Sequence, residues 1–545
     1  MRAILGHAIE EISGTYEDQS SPGRTLCTLL AVHRSMYTLV DLPEEILYLI
    51  VTKCICEIPG EYSQSFTGIY NDNLKVLNRL CRVSRRLCRV STGLLYHTFV
   101  KPENLHSTRR RWYGIGQISD NIVLRRFVRT LIQRPELRKH VKRLVLLRWK
   151  DHHTRHHQVS SRLSAQDERE YKQVLSQALE QYHLKDGVDR AWKNALLADQ
   201  WTPPTLDAAQ PRRYPNYCED AEVALLLLLV PSVDTLEIDL PGKASIEPLL
   251  DIRAYPYEPF FRFTLRSILA GDLGPAHFSN LRRFNSLRRM YYQQQVIELP
   301  TLSEILSIPS LQSFTGFLTA TEVDGGNRPF RPTAKSKIHT LRLDAEHVPI
   351  DVLEGLLNSV LRLRSFSITY THENIADLVF GMGDWSAVRR ALSAHSSSLK
   401  ELKLDIESPP PDKTHGASSW PLLIDTLLSF ERLTKLEIHQ SAFLNLATDG
   451  SRSRRPLAEV LPRSLTELTI SCFDQGLLPQ LDAFVAMIPT TYPALQKLEV
   501  KLGDFCHFDQ NRAIPPHNLL RSAEGHLDRV VANLDKIGVE YVERA

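Results

Sequence analysis

One short apolar pattern recurs through most of this sequence. It has an apolar residue, two variable residues, a second apolar residue, one variable residue and a third apolar residue, as in VKRLVL from Val141 to Leu146. Other clean copies begin at Val233, Ile338, Leu363, Leu399, Leu433, Leu465 and Leu495, and weaker copies begin at Leu281 and Leu311. From Leu281 onward, consecutive copies start 25 to 36 residues apart. So narrow a range indicates an internal repeat.

Helix-compatible stretches lie between the copies. They include PIDVLEGLLNSVL, WSAVRRALSAH, PLLIDTLLSF and LDAFVAMI. Each repeat is therefore expected to form one strand and one helix, and neither can bury its apolar face except against neighbouring repeats. The sequence predicts an α/β fold in which the strands form a curved parallel sheet covered by helices.

The repeated hexamer resembles the LxxLxL strand signature of leucine-rich repeats. The resemblance implies a solenoid with the parallel sheet on its concave side and helices on its convex side. The Asn or Cys that follows the strand in that family is missing here, and most repeats are longer than its usual 20 to 29 residues. We therefore expect irregular repeats with full helices.

The segment from Asp41 to Phe99 carries the other informative pattern. It opens with DLPEEILYLI, where Asp41 is expected to cap a helix and where Leu42, Ile46, Leu49 and Ile50 are expected to share one face. LKVLNRLCRVSRRLCRV is expected to form a single second helix that ends at Gly93. Its apolar face would contain Leu77, Leu80, Val83, Leu87 and Val90, and its opposite face Arg79, Arg82, Arg86 and Arg89.

The LPEEI, VSRRL and LLYHTF stretches of this segment resemble the F-box. The F-box is the motif through which substrate receptors of SCF-type ubiquitin ligases bind their adaptor protein. The resemblance implies that this adaptor, and through it a cullin, are partners, and that the chain is a receptor without catalytic residues. The residues that it assigns to adaptor contact are Leu42, Pro43, Ile46, Ile50, Val83, Leu87 and Leu95.

Two other interpretations stay open for the whole chain. The apolar residues of the segment could be the core of an ordinary helical domain, and the repeats could form a binding scaffold without any link to ubiquitin. The long stretch from Cys56 to Asn73 favours the scaffold, because the turn between F-box helices is usually shorter. An enzyme has little support, since GxxxxGK[ST], GxSxG, HExxH and GxGxxG are all absent from the sequence.

The strand pattern predicts which side chains meet a target. Residues that alternate with the apolar positions should face the open side of the sheet. Across the clean copies these positions carry eight acidic and six basic residues, which argues against a nucleic acid and favours a protein target. The candidate target-binding residues are Glu237, Asp239, Arg342, Asp344, Lys403, Asp405, Glu437 and Glu499.

Composition limits the other classes of function. The net charge of +3 predicts neither nucleic-acid nor membrane binding, and the apolar run from Ala224 to Val230 is too short to cross a bilayer. Glu10 and Glu11 interrupt the N-terminus where a signal peptide would be apolar. Eight cysteines without a CxxC pair indicate reduced thiols inside the cell, in the cytoplasm or the nucleus.

No cofactor or metal is expected. His152, His153, His156 and His157 have helical spacing for a metal site, but no acidic or cysteine ligand is near, and a solvated loop is the favoured interpretation. The arginine clusters at 109–111 and 452–455 are likewise interpreted as solvated.

The expected organisation is an extension at 1–37, partly disordered, an F-box at 38–100, bridging helices at 101–136, repeats at 137–506 with an insertion at 150–217, and a cap at 507–545.

Overall fold

The computed structural model describes most of the repeats and much of the N-terminal region. The described residues are 42–55, 64–101, 121–147, 164–182, 188–197, 219–238, 260–272, 277–286, 299–319, 330, 335–346, 348, 350–371, 385–407, 427–439, 444–446, 452–454, 456–473, 478–502 and 528–544. The chain divides into two compact units. The first comprises Met1–Pro102 and Arg134–Val145, and the second comprises Glu103–Gln133 and Leu146–Ala545.

The first unit is mainly helical. Its elements are helix α1 (Glu44–Lys53), α2 (Gln64–Val83), α3 (Arg85–Leu95), strand β1 (Thr98–Lys101), a short 3-10 helix (Pro135–His140) and strand β2 (Arg143–Leu146), whose last residue belongs to the second unit. Strand β2 lies beside β1. The carbonyl of His97 accepts hydrogen bonds from the amides of Lys142 and Arg143 at 2.9 and 3.0 Å. The sequence predicted β2 but not β1.

The second helix of the sequence prediction is two helices. Helix α2 ends at Val83, and Ser84 has extended backbone angles and caps α3 by accepting a hydrogen bond from the Leu87 amide at 3.1 Å. The predicted stop at Gly93 is also wrong, because α3 continues to Leu95. Residues 64–73, expected in a long turn, form the first part of α2.

Helix α1 is rotated relative to its predicted orientation. Leu47 and Val51 are its buried residues, whereas Leu49, predicted to share the apolar face, is 58% exposed. Pro43 precedes the first turn, and the amides of Ile46 and Leu47 donate to its carbonyl. The predicted cap, Asp41, lies outside the described residues.

The second unit contains the repeats. Its described helices are α4 (Asn121–Gln133), α5 (Ala165–Leu179), α6 (Val188–Leu197), α7 (Glu219–Leu229), α8 (Phe260–Leu269), α9 (Leu299–Leu306), α10 (Ile350–Ser359), α11 (Trp385–Ser393), α12 (Leu457–Val460) and α13 (Leu478–Thr491). Its strands are β3 (Thr235–Ile238), β4 (Arg283–Ser286), β5 (Ser313–Thr319), β6 (Thr340–Glu346), β7 (Ser365–Thr371), β8 (Glu401–Glu407), β9 (Lys435–His439), β10 (Leu444–Leu446), β11 (Arg452–Arg454), β12 (Glu467–Phe473), β13 (Lys497–Leu502) and β14 (Glu540–Arg544).

Ten of these strands form one parallel sheet in the order of the chain. Strands β3 to β9 pair consecutively, β9 pairs with β12, and β13 and β14 follow. Every hexamer from Val233 onward supplies one strand, including the weak copies at Leu281 and Leu311. The predicted α/β fold with a parallel sheet is confirmed, and the arrangement is consistent with a solenoid. Strands β10 and β11 form a separate antiparallel pair.

The same backbone contact joins each strand of this sheet from β3 to β12 to the next strand of the sheet. At each of these junctions, the carbonyl of one residue accepts hydrogen bonds from two consecutive amides of the following repeat, at 2.7 to 3.1 Å. We call this contact the shared-carbonyl step. The acceptors are Asp234, Arg282, Gln312, His339, Arg364, Lys400, Thr434 and Thr466. Its recurrence shows that clean and weak copies of the hexamer are structurally equivalent.

Apolar side chains form a continuous buried row across the sheet. The parallel register aligns the central apolar residue of each hexamer with that of the next, and all are almost fully buried. The row is Leu236, Phe284, Phe314, Leu341, Phe366, Leu402, Leu436, Leu468 and Leu498. Burial of such side chains contributes roughly 1.5 to 3 kcal/mol each. On the helical layer, α7 packs on α8, α8 on α9, α10 on α11 and α12 on α13.

A serine bond replaces the missing Asn ladder in several repeats. Ser310, Ser398 and Ser464 each precede the first apolar residue of a hexamer. Their hydroxyl groups donate to the carbonyls of Leu281, Leu363 and Leu433 at 2.7 to 2.9 Å. Each acceptor is the first hexamer residue of the preceding repeat, so the serine satisfies a buried backbone group and ties adjacent repeats together. The sequence carries this signal as Ser-Leu before the strand.

The segment predicted as an insertion contributes helices to the second unit. Helix α5 was predicted, but α6 was not. In α6, Trp192 is fully buried and its indole N–H donates to the Ala221 carbonyl at 3.0 Å. Helix α7, which carries the apolar run of the sequence, is buried along its whole length. The long apolar run is therefore a core helix.

Buried ionic groups hold α4, α5 and α7 together. Arg125 of α4 donates to Glu222 of α7 at 2.9 Å and to Glu168 of α5 at 2.6 Å. The Tyr171 hydroxyl donates to the same Glu222 carboxylate at 3.2 Å. Glu222 is only 3% exposed, so these partners satisfy a carboxylate that would be costly to bury alone.

The other predicted helices have mixed outcomes. PIDVLEGLLNSVL, WSAVRRALSAH and LDAFVAMI correspond to α10, α11 and α13, whereas PLLIDTLLSF lies mostly outside the described residues and its described end forms a turn. The predicted last helix and strand are present as helical residues 528–536 and β14. The predicted N-terminal extension at 1–37 lies outside the described residues.

His395 is a buried connector between two repeats. Its Nδ1 faces the Leu363 amide at 3.4 Å, and its Nε2 faces the Leu357 carbonyl at 3.1 Å. A neutral ring with the proton on Nε2 satisfies both contacts, since it accepts from the amide and donates to the carbonyl. Burial lowers the pKa of His395, although the bond to Leu357 acts in the opposite direction.

Replacement of Ser398 with Ala should destabilise the second unit by about 1 kcal/mol, because the buried Leu363 carbonyl loses a donor. Chemical denaturation measures the change. Ser393→Ala is the control, since that exposed hydroxyl bonds only within its own helix. Equal effects of the two substitutions would contradict the assigned role.

Stability should fall as the pH decreases from about 7 to about 5, in part through His395. Its folded-state pKa is lowered, so the unfolded chain takes up a proton first and acid favours unfolding. This contribution is complete above the ordinary histidine pKa and is lost as pH falls towards the folded-state value. His395→Gln should flatten the curve of unfolding free energy against pH, and parallel curves for the two proteins would refute this.

Candidate functional site

The helices of the first unit share a small apolar core. Its buried residues are Leu47, Val51, Leu77, Leu80 and Leu87. The partly buried side chains packed against it are Leu42, Ile55, Val76, Val90, Leu94 and Leu95. The core thus draws on α1, α2 and α3, and it leaves other apolar residues of these helices outside.

The residues predicted to contact an adaptor fall into three groups. Val83 and Pro43 are exposed, Val83 by 67%. Four residues are half-buried, and they are Leu42, Ile46, Ile50 and Leu95. Leu87 is 2% exposed and belongs to the core. The assignment of Leu87 to a partner contact is therefore corrected, because its side chain is already covered by its own unit.

Two apolar residues that the sequence prediction left out of the contact set are exposed. Tyr48 and Leu49 of α1 are 47% and 58% exposed. Together with Val83 they are the exposed large hydrophobic residues among the described residues of this unit. We call Tyr48, Leu49 and Val83 the apolar surface. The run ILYLIV is apolar on every side of the helix, so its periodicity alone could not identify the outward face.

Polar contacts fix the positions of these helices. Glu44 of α1 pairs with Arg89 of α3 at 3.2 Å. The Tyr70 hydroxyl of α2 donates to the Thr98 carbonyl at 3.2 Å and accepts from the Val100 amide at 3.4 Å. Burial raises the pKa of Tyr70 to about 12, so the hydroxyl keeps its proton and holds α2 against β1.

A shallow cleft of about 70 Å³ lies where α2, α3 and β1 meet. Its lining is mostly apolar and contains the predicted contact residue Leu95. The lining residues are Ile55, Tyr70, Asn73, Leu74, Leu77, Leu94, Leu95, His97 and Thr98. The cleft can receive one small apolar side chain, which is less than most cofactors require.

The polar face of the sheet in the second unit is the other candidate surface. The residues that alternate with the buried row lie side by side on consecutive strands, as predicted. One aligned row carries alternating charges, and we call it the charge ladder. Its members are Glu401, Lys435, Glu467, Lys497 and Glu540. Lys435 and Glu467 form an ion pair at 2.8 Å.

Glu437 is the centre of a second set of charges on this face. Its carboxylate accepts from Lys403 of β8 at 2.9 Å and from Lys501 of β13. Lys403 also lies 3.3 Å from Asp405, which accepts a hydrogen bond from Ser471 at 2.7 Å. Burial alone would lower the pKa of Lys403, but the bonds and charges of Glu437 and Asp405 outweigh it and raise the pKa.

The predicted target-binding residues differ in exposure. Arg342 is exposed, and Asp344, Lys403, Asp405 and Glu437 are half-buried. Glu237 and Glu499 are 0% and 5% exposed, so their assignment to an open binding face is corrected. Asp239 lies outside the described residues.

These two buried carboxylates show what the strand pattern omits. Period-two alternation assigns a residue to one side of the sheet, but it does not state how deeply that residue is buried. The Glu499 carboxylate pairs with Lys497, two residues away on the same strand, at 2.9 Å.

No protein-family model matches this chain. No curated protein matches its sequence either.

The described residues contain no cluster of three His, Cys, Asp or Glu side chains that could hold a metal ion. The four histidines from His152 to His157 and the arginines at 109–111 lie outside that part of the chain. Of the helices that the structure describes, none is long and apolar enough to span a bilayer.

Glu437→Gln should lower the free energy of unfolding by about 1 kcal/mol, since two lysines lose their common carboxylate. The matched control is Glu431→Gln, which removes the same charge at an exposed position of the same unit. Urea denaturation of both variants measures the difference. A loss as large for Glu431→Gln would show that only net charge matters.

Proposed function

We propose that this chain is a non-catalytic substrate receptor of an SCF-type ubiquitin ligase. In this proposal, the apolar surface of the first unit binds the adaptor, and the polar face of the sheet in the second unit binds a protein target. The adaptor would connect the chain to a cullin. No bond-making chemistry is required of the chain itself.

One observation carries the proposal. The helices whose sequence contains LPEEI and VSRRL expose Tyr48, Leu49 and Val83, which lie outside the apolar core of their unit. Exposed large apolar side chains are typical of a protein-binding site when they form one patch. Burial of a few such anchors supplies most of the energy of a typical interface.

The proposed mechanism is positioning. A target held on the sheet of the second unit would be kept close to the ubiquitin-loaded enzyme that the ligase recruits. Such tethering raises the effective concentration of the reacting groups. The mixed charges of the sheet face, centred on Glu437, favour a protein surface or peptide over a polyanion, which the carboxylates would repel.

A binding scaffold without a link to ubiquitin is the second candidate. The observation that favours it is the burial of Leu87, because the apolar surface is then smaller than the F-box resemblance implies. Adaptor binding by the intact protein distinguishes the two candidates.

The double variant Leu49→Ser and Val83→Ser should weaken adaptor binding at least tenfold, which corresponds to about 1.4 kcal/mol. Both residues are exposed, so the variant should fold normally. The adaptor is co-expressed with the full chain, and the complex is measured by calorimetry. The control variant is Leu361→Ser and Met487→Ser, which changes two exposed apolar residues of the second unit.

The intact chain must first bind the adaptor, and failure to do so would favour the scaffold. If it binds, a folded Leu49→Ser and Val83→Ser variant that captures the adaptor undiminished would exclude the apolar surface as the docking site. A similar loss in the control variant would also exclude it.

A further inference from the structure

The first unit carries an unusual concentration of positive charge. Between Asp72 and Glu103 the sequence contains seven Lys or Arg residues and no Asp or Glu, although the whole chain has a net charge of only +3. These residues are Lys75, Arg79, Arg82, Arg85, Arg86, Arg89 and Lys101. The segment between Asp72 and Glu103 is therefore strongly basic, although the chain as a whole is nearly neutral.

Four of these arginines are exposed on α2 and α3. Arg79 and Arg82 are three residues apart on α2, and Arg85 and Arg89 are four residues apart on α3, so each pair lies on one side of its helix. We call these four residues the arginine surface. In the sequence, only Val83 and Ser84 separate the end of one pair from the start of the other.

Three of the four arginines of the arginine surface have no partner within the described part of the chain. Arg89 pairs with Glu44. Arg79, Arg82 and Arg85 have no ion pair or hydrogen bond with another described side chain, and all three are exposed. Guanidinium groups in this condition attract anions and form paired hydrogen bonds with carboxylates or phosphates.

The surroundings favour carboxylates of a protein over the phosphates of a nucleic acid. Val83 lies between Arg82 and Arg85 in the sequence and is 67% exposed, and an aliphatic side chain packs well on a protein but is a poor platform for a base. Glu44, which lies 3.2 Å from Arg89, places a carboxylate beside one of these arginines. A continuous phosphate backbone would be repelled by this carboxylate, whereas a protein segment can place its acids selectively.

We propose that the arginine surface binds an acidic segment of a partner protein, with an apolar side chain of that segment packed on Val83. The proposal deepens the proposed function, on which it rests for the use of these helices as a docking surface, by naming the charge of the partner. Attraction between unlike charges would also speed association at low salt.

The test uses the full chain and a defined probe. The probe is a fluorescein-labelled peptide of alternating Glu and Leu, followed by fluorescence anisotropy. A single-stranded oligonucleotide of equal charge is the comparison. Peptide binding should weaken when the salt concentration rises from about 50 to about 300 mM, because the charges are exposed and screened.

The decisive variant is Arg79→Gln, Arg82→Gln and Arg85→Gln. It should weaken peptide binding about tenfold, because it removes the three unpaired guanidinium groups. The matched control is Arg362→Gln, Arg432→Gln and Arg463→Gln, which removes three exposed arginines of the second unit. The control should bind the peptide as the unaltered protein does, and thermal melting verifies that both variants fold.

Several results would overturn the proposal. Tighter binding of the oligonucleotide than of the peptide would assign the surface to nucleic acid. An equal loss in the control variant would mean that only total charge matters. Val83→Ser should weaken peptide binding about threefold, and no change would remove the apolar contact from the proposal.

The peptide and adaptor experiments together distinguish failure of the acidic-partner proposal from failure of the ligase proposal. Peptide binding that depends on the arginines, together with no adaptor binding, would uphold an acidic partner and reject the ligase. Adaptor binding that needs Leu49 but is unchanged by loss of the arginines, with no peptide binding, would reject the acidic partner and keep the ligase.

Discussion

The shared-carbonyl step is the contact on which the second unit depends. Each interior strand of a parallel sheet bonds to a strand on either side, and no repeat can satisfy its own backbone groups. One carbonyl that accepts two amides of the next repeat fixes both the spacing and the register of the following strand. That register aligns the apolar side chains into one buried row, from Leu236 to Leu498, and the polar side chains into rows on the opposite face. The serine bonds and the neutral His395 reinforce the same junctions from the helical side of the hexamer.

The first unit is held together differently, by a small apolar core between helices. Its small core takes one or two residues from each of three helices, and apolar and basic side chains remain outside. The exposed side chains of this unit include Tyr48, Leu49 and Val83 and four arginines of α2 and α3. The two units thus expose different side chains: apolar and basic ones on the helices, and charges of both signs on the sheet.

The sequence predicted the features that local patterns determine and missed those that depend on contacts between distant parts of the chain. The hexamer predicted all strands from β3 to β9, and β12 and β13, because alternation and repetition are local signals. Even the weak copy LRRFNS formed β4. The sequence prediction missed the helix break at Ser84. The leucines on both sides of Ser84 keep the spacing of one continuous helix, so the pattern did not reveal the N-cap. Helix α6 and the burial of Leu87 could not be predicted from local spacing, because Trp192 of α6 bonds to the Ala221 carbonyl and Leu87 joins a core that includes Leu47.

The charge ladder restricts how this array can change in length. Successive strands present Glu401, Lys435, Glu467, Lys497 and Glu540 as neighbours, so every junction joins opposite signs. Loss of the single repeat that carries β9 would set Glu401 beside Glu467, and like charges in adjacent strands repel. Loss of two consecutive repeats would restore the alternation. Duplication or deletion of an even number of repeats should therefore be tolerated better than that of an odd number, because only an even number keeps opposite charges adjacent in this row.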